Sequence, residues 1–331
     1  MIKKSPFKAP SKTTRRVDGF RPGDKTAGAR VCALLFALGL CLGNLAGCAD
    51  RPPEAAGENA AASATGADEN PRIVATSRAV VEICDRLELP LAGVPTLEGL
   101  PARYDEAARV GGPMGPDLEA IRLIDPIDVV GPDTLIDVLA EGYENAGLPA
   151  TFLNLRSVAG LYESAEILGG KYGRADAARA LTEEYKTVLA EIEAARQEAG
   201  GEAPRVLVLM GLPGAYVEAT QNSYVGNLAE MGGGVNVVTD PIEDFVSWNT
   251  EELLLLDPDI ILRTAHALPD KVAEMFLKEF TENDIWSHFR AVKEGRVYDL
   301  DYLVFSMSAN FRWPEAMEAL KEIYYGKDAS W

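Results

Sequence analysis

From residue 72 onward, short apolar runs alternate with amphipathic stretches. The runs at residues 73–75, 91–94, 127–130 and 149–153 have the length and composition of buried strands, and stretches such as residues 78–89 have the spacing of helices. Alternating strands and helices predict a mainly parallel sheet covered on both faces. Because ligands of such sheets bind beyond the carboxyl ends of the strands, residues that directly follow a strand are candidates for a binding site.

A longer helical pattern covers residues 174–199, with apolar positions spaced by three or four and a second face rich in Glu, Lys and Arg. Gly200, Gly201 and Pro204 end it, and a second alternating block follows. The sequence therefore predicts an α/β protein with two Rossmann-like lobes, residues 72–173 and 201–331, that carry parallel-type sheets. One long backbone helix, residues 174–200, joins the lobes, and we expect it to hold them nearly rigid.

A weak internal repeat relates the two blocks. Pro126 follows Glu119 at a spacing of seven residues in the first block, and Pro258 follows Glu251 at the same spacing in the second. A buried strand follows each Asp-Pro pair. The repeat predicts that Glu119 and Glu251 lie at equivalent surface points of the two lobes. The alternative is that both are ordinary glutamates favoured in the first turn of a helix.

The N-terminus has the organisation of an export signal. A basic leader precedes thirteen apolar or glycine residues at 31–43, too few to span a bilayer as a stable helix, and Leu45-Ala46-Gly47-Cys48 resembles the lipobox of bacterial lipoproteins. We predict a lipoprotein signal peptide over residues 1–47, lipidation of Cys48, and a flexible tether over residues 48–71, which are rich in Ala, Gly, Pro and acidic residues. The alternative is an uncleaved anchor followed by a chance cysteine.

Charge and composition exclude several functions. Residues 1–47 hold nine basic and two acidic residues, so their removal changes the formal charge from -19 to -26, which disfavours nucleic acid. Of the four cysteines only Cys84 would remain as a free thiol, predicted to lie in the core. Phosphate-loop, nucleophile-elbow, His-Glu-x-x-His and Cys-x-x-Cys-His motifs are absent from the sequence, which leaves the common enzyme classes without support.

Two residues stand out as possible ligands. Met114 lies in a Gly-Pro-rich turn before a helix, where a stiff loop would present it, although methionine more often fills a core. His266 lies in the segment 262–269, which continues from the buried strand at residues 259–262, and is therefore expected at the carboxyl end of that strand. His288 lies among aromatics in a helical stretch that favours packing or surface exposure. A methionine from one lobe and a histidine from the other form an axial pair suited to haem iron. Because the sequence lacks a Cys-x-x-Cys-His motif, any haem would be bound without covalent links to cysteine. A soft thioether is a poor partner for ferric siderophores, whose oxygen donors already saturate the iron.

These residues resemble a known family, the haem-receptor lipoproteins of the iron-regulated surface determinant systems. Members of this family are solute-binding proteins of ABC importers. The likeness covers nearly all of residues 72–325. It is carried by Pro113-Met114-Gly115-Pro116-Asp117-Leu118-Glu119, by Arg263-Thr264-Ala265-His266, and by residues 72–76, 93–96, 146–154, 209–211, 258–263, 283–286 and 296–300.

The resemblance implies roles residue by residue. Met114 and His266 fall on the family's axial ligands, and Glu119 and Glu251 match glutamates that dock related receptors against arginines of the two membrane subunits. Thr264 and Ala267, beside His266, depart from the small residue and the glycine of the family pattern, which puts ring access in doubt but leaves the ligand in place. Candidates for contacts with the haem propionates are Thr76, Ser77, Arg78, Arg103 and Tyr104.

The sequence thus predicts a receptor rather than an enzyme. It would act as a monomer outside the cytoplasm, held at the membrane only by lipidated Cys48, and would deliver non-covalent haem to an ABC permease and its ATPase. Release would depend on contact with the permease rather than on wide hinge opening. Two alternatives remain at this point: the same fold with a ferric siderophore or corrinoid as cargo, and a two-lobed haem-modifying enzyme.

Overall fold

A computed structural model describes residues 3–4, 71–200 and 202–326. Cys48, the rest of the predicted signal peptide and almost all of the predicted tether lie outside these ranges. Within them, none of the helices combines the length and apolar character needed to cross a membrane.

The first lobe is built on a five-stranded sheet in which every neighbouring pair of strands is parallel. The order across the sheet is β4 (Ala108–Arg109), β3 (Gly93–Val94), β2 (Ile73–Ala75), β7 (Asp128–Pro132) and β8 (Ala150–Leu153). The helices of this lobe are α1 (Arg78–Arg86), α2 (Leu118–Ile124), α3 (Ile136–Asn145) and α4 (Val158–Lys171). Every residue of β2 and β7 is buried, as expected for strands covered on both faces, so the predicted parallel sheet is confirmed.

The second lobe has a seven-stranded mixed sheet. Its parallel part consists of β9 (Arg205–Leu212), β11 (Val235–Asn236), β13 (Ile260–Ala265) and β14 (Val297–Asp299). Antiparallel pairs add β10 (Ala215–Ala219), β12 (Phe245–Val246) and β1 (Lys3–Lys4). The helices are α6 (Tyr224–Met231), α7 (Thr250–Leu255), α8 (Pro269–Glu282), α9 (Arg290–Lys293) and α10 (Trp313–Tyr325). Strands β9 and β10 form a hairpin because Pro213-Gly214 turns the chain back, with Gly214 at a φ of +87°.

The long linking helix is α5 (Ala175–Ala199). Tyr185 on this helix stacks on Tyr162 of α4, with ring centroids 4.5 Å apart, and meets the edge of Trp313 of α10 at 5.7 Å. The Trp313 indole N–H donates to the Tyr162 hydroxyl at 3.0 Å. One continuous hydrophobic cluster contains Val80 of the first lobe and Val208 of the second. The two lobes therefore share a core instead of meeting only through a linker.

Polar contacts reinforce this connection. Arg156, which follows β8 in the first lobe, pairs with Asp133 of the same lobe at 2.9 Å and with Asp244 of the second lobe. The Ala309 N–H donates to the Leu155 carbonyl at 2.8 Å, which adds a backbone bond between the lobes. A wide hinge motion would break these bonds and expose core, which supports the expected rigidity.

Candidate functional site

Met114 lies at the tip of a small hairpin formed by β5 (Gly111–Gly112) and β6 (Gly115–Pro116). Gly111 has a φ of +87°, and a Cβ added to it would lie 2.8 Å from the Asp117 nitrogen, so only glycine fits. The Thr96 N–H donates to the Gly111 carbonyl at 2.8 Å and holds the base of the hairpin to the loop after β3. The Met114 side chain is 59% exposed, so it is presented to solvent and is not part of the core.

His266 directly follows β13, the strand next to β9 in the second lobe. Its backbone N–H donates to the Gly211 carbonyl at 2.9 Å, which continues the ladder between β13 and β9 and fixes the residue at the carboxyl end of the strand. The residue is exposed, yet nearby protein atoms displace part of the solvent from the ring and lower the pKa of the imidazole. The neutral ring, the form that binds metals, is thereby favoured.

His288 has a different setting. It is exposed at the end of a short 3-10 helix, Asp284–His288, and its carbonyl accepts a hydrogen bond from the Lys293 ammonium at 2.9 Å. This segment precedes α9 and does not follow a strand of the sheet. His288 is thus a suitable reference for a histidine outside the candidate site.

The first strand-to-helix turn contains three of the predicted propionate contacts. Thr76 is buried and has both donors engaged, because its N–H and its hydroxyl each donate to the Val130 carbonyl, at 2.9 and 3.1 Å. The Ser77 hydroxyl oxygen caps α1 by accepting the Val80 N–H. Arg78 is half-buried, and its guanidinium donates to the Gly99 carbonyl at 2.8 Å. Arg78 thus brings the only cationic side chain of the three to this turn.

The other two predicted contacts, Arg103 and Tyr104, lie near the opposite end of α1. The Tyr104 hydroxyl donates to the Leu89 carbonyl at 2.8 Å, and burial raises its pKa. Arg103 lies 3.7 Å from the Asp85 carboxylate. A nine-residue helix is roughly 13 Å long, so the structure separates the five residues into two groups. The contacts of Arg103 and Tyr104 hold their loop against α1.

A cavity of about 540 Å³ opens beside the base of the hairpin, and the sequence did not reveal it. Exposed Arg109, at the end of β4, offers a cation there, and Thr96 joins the cavity to the hairpin because its hydroxyl accepts the Gly111 N–H at 3.2 Å. Strand β4 is only two residues long, too short for a hydrophobic period in the sequence to indicate it. The cavity is lined by Thr96, Leu97, Glu98, Gly99, Leu100, Asp105 and Arg109.

Leu268 is a second residue that the sequence did not single out. It is 52% exposed two residues after His266 and adopts a left-handed conformation with a φ of +49°. A branched side chain rarely adopts this backbone conformation, and such residues concentrate at binding sites. Leu268 therefore offers an apolar surface close to His266, and its sequence context did not indicate this conformation.

Glu119 and Glu251 occupy equivalent places, as the repeat predicts. Each is the second residue of its helix, α2 or α7, and both are exposed. The Asp117 side chain caps α2, while Asn249 caps α7 in a reciprocal arrangement with Glu252.

The ends of the two helices are equivalent as well. Asp125 after α2 and Asp257 beyond α7 have left-handed φ values of +52° and +42°. Each carboxylate pairs with an arginine, Arg72 at 3.0 Å and Arg290 at 3.2 Å respectively. The same capped and anchored unit is therefore built twice, once in each lobe.

Two α/β lobes on a common core, with exposed candidate ligands after strands of both lobes, define a solute-binding protein of the periplasmic-binding type. The chain belongs to the periplasmic binding protein family, whose sequence profile matches residues 73–302. It is therefore a binding protein rather than an enzyme.

Several individual proteins are similar to this chain in sequence and in structure over most of its length. The high-affinity heme uptake system protein IsdE of Staphylococcus aureus (strain Newman) is 39% identical over 257 residues, which are 77% of this chain and 87% of that protein. The crystal structure of S. aureus IsdE complexed with heme matches with a TM-score of 0.73 and 38% identity, over 77% of this chain and 98% of that one. An ABC transporter substrate-binding protein from Listeria monocytogenes EGD-e has a TM-score of 0.72 and 42% identity, over the same shares.

Proposed function

We propose that this protein is a haem receptor that captures haem between its two lobes and delivers it to an ABC permease. The observation that carries the proposal is the exposure of Met114 and His266, one after a strand of each lobe, on a chain whose relative IsdE has been crystallised with haem. Thioether and imidazole together are an established axial pair for haem iron.

Met114 and His266 act as the axial ligands in this proposal. The hairpin fixes the position of the thioether, because Gly111 and the bond from Thr96 leave its base little freedom. The lowered pKa of His266 keeps the imidazole neutral and able to bind iron. Leu268, two residues after His266, supplies exposed apolar surface.

The propionates are assigned to the first lobe. Arg78 is the strongest of the predicted contacts, because its guanidinium has further N–H donors besides the two bound to the Gly99 and Glu98 carbonyls. Thr76 and Ser77 shape the turn at the start of α1. Arg103 and Tyr104 remain predicted contacts, and Arg109 of the adjacent cavity joins them as a candidate.

Glu119 and Glu251 dock the receptor on the permease. Both carboxylates are exposed on equivalent helices, as an interaction with basic residues on two membrane subunits requires. The ATPase of the importer would drive transfer after docking. Because the lobes share a core, release follows from these contacts rather than from wide opening.

The mature receptor begins at Cys48 after removal of residues 1–47, and lipid on Cys48 anchors it to the outer face of the cell membrane. Residues 48–71 form the tether, residues 72–173 and 201–331 the lobes, and residues 174–200 the linking helix. The receptor acts as a monomer. Mass spectrometry of the protein extracted from membranes tests this assignment. A chain that still carries residues 1–47, or that has no lipid on Cys48, would contradict it.

Haem titration tests the proposed cargo. The chain lacking residues 1–48 retains the hydrophobic cores of both lobes and should give a low-spin haem spectrum. His266→Ala and Met114→Ala should each change that spectrum, whereas the control His288→Ala should not. An unchanged spectrum in His266→Ala would refute the axial assignment. If no Soret band appears and the chain binds a ferric siderophore or a corrinoid instead, that compound and not haem is the cargo.

A further inference from the structure

Two leucines are almost fully exposed at equivalent positions of the repeat. Leu123 of α2 is 88% exposed and Leu255 of α7 is 85% exposed. Each is the sixth residue of its helix and lies four residues after the glutamate, Glu119 or Glu251. Because residues four apart lie on the same side of a helix, each helix presents a carboxylate and a leucine together.

The orientation of both helices is fixed by packing. Ile121 and Leu253, midway between glutamate and leucine, are completely buried on the opposite side. The caps at the start of each helix and the Asp-Arg pair after it hold this orientation. The leucines therefore cannot turn toward the core.

Single exposed leucines are common on protein surfaces and need no explanation. Here the same residue type has the same high exposure at the same position of a unit that occurs once in each lobe. Neither leucine belongs to the hydrophobic clusters of the described residues. Core packing therefore does not account for the pair.

We propose that Leu123 and Leu255 each insert into an apolar pocket beside a basic residue on one of the two membrane subunits of the permease. With Glu119 and Glu251 they form two equivalent acid-leucine contacts. The exposed carboxylates favour a cationic partner, although Glu119 also lies 4.0 Å from Arg122 of its own helix. The occurrence of the unit once in each lobe fits a partner with two similar subunits. This inference rests on the proposed docking of the receptor on an ABC permease.

The test uses right-side-out membrane vesicles, loaded with ATP, from source cells that lack this gene. The haem-loaded chain without residues 1–48 is added, and the receptor concentration for half-maximal haem entry is measured. Leu123→Ser and Leu255→Ser should each raise that concentration about tenfold, since burial of a leucine is worth at least that much. The two effects should be similar in size because the contacts are equivalent.

Matched controls are Ile167→Ser in the first lobe and Leu277→Ser in the second, since these apolar residues are also exposed, at 53% and 59%. Both should leave the half-maximal concentration unchanged. Added salt should weaken docking of the leucine variants as much as that of the parent chain, whereas Glu119→Gln and Glu251→Gln should reduce this salt dependence.

The proposal is overturned if both leucine variants transfer haem like the parent, or if the control variants weaken transfer equally. It is also overturned if the leucine variants only abolish self-association in sedimentation experiments, because the leucines would then join two copies of this chain. Each variant is first shown to bind haem. Failure of the parent chain to bind haem would contradict the proposed cargo, and it is thereby distinguished from failure of docking alone.

Discussion

Gly111→Ala should destabilise the hairpin that carries Met114. Residues held in sparsely populated backbone conformations cost about 1–3 kcal/mol, and alanine at the φ of +87° would add this strain. The new Cβ would also lie 2.8 Å from the Asp117 nitrogen, which donates to the Val110 carbonyl. Moving Asp117 away would cost that hydrogen bond, worth about 1 kcal/mol. We therefore expect a total destabilisation of about 2–4 kcal/mol, concentrated at the hairpin.

Two measurements check this prediction in the chain lacking residues 1–48. The melting temperature should fall by roughly 2–4 °C for each kcal/mol lost, and the haem spectrum should shift toward that of Met114→Ala. Gly115→Ala is the matched control on the partner strand, because an added Cβ there meets nothing within 4 Å. Indistinguishable melting and spectra for the two alanine variants would refute the argument that Gly111 fixes the position of Met114.

Three further predictions concern groups away from the proposed haem ligands. Arg156→Ala should destabilise the chain by about 1–2 kcal/mol in a denaturant titration, because it leaves the mostly buried Asp244 carboxylate without its partner. Arg179 is exposed, so the control Arg179→Ala should cost less than about 0.5 kcal/mol in the same titration. Burial raises the pKa of Glu218, so its protonated form is favoured on folding and its contribution to stability falls as pH rises through the raised pKa. Glu218→Gln should therefore gain stability relative to the parent from about pH 4 upward, and a gain that shrinks with pH would contradict this reasoning. Burial raises the pKa of Cys84 to about 12, so a thiol reagent should label it only after unfolding, and rapid labelling of the folded chain would show otherwise.

Much of the fold could be predicted from local pattern. The alternation of apolar runs and amphipathic stretches, the long helix before Gly200 and the Asp-Pro ends of two helices are all signals within short segments. The antiparallel strand β10 escaped prediction, because an apolar run after Pro213-Gly214 looks the same whether its partner is parallel or antiparallel. Hydrophobic period reports burial and does not report the direction of pairing.

The candidate site was only partly predictable. The Gly-Pro-rich turn indicated a stiff presentation of Met114, but the pairing of Gly111 with Pro116 emerged only in three dimensions. The bond from Arg78 to Gly99 and the pairing of Arg156 with Asp244 join residues 21 and 88 positions apart. Such contacts follow no period along the chain, which is why the division of the propionate candidates into two groups was not foreseen.

The aromatic cluster of Tyr162, Tyr185 and Trp313 also bears on the engineering of this receptor as a fluorescent haem sensor. In a two-lobed binding protein with a mobile hinge, dyes attached to the two lobes would approach each other as the hinge closes. Here a shared core ties α4, α5 and α10 together, so the distance between such dyes would hardly change. The useful design places one fluorophore near the Met114 hairpin and reads its quenching by the light absorption of the bound porphyrin.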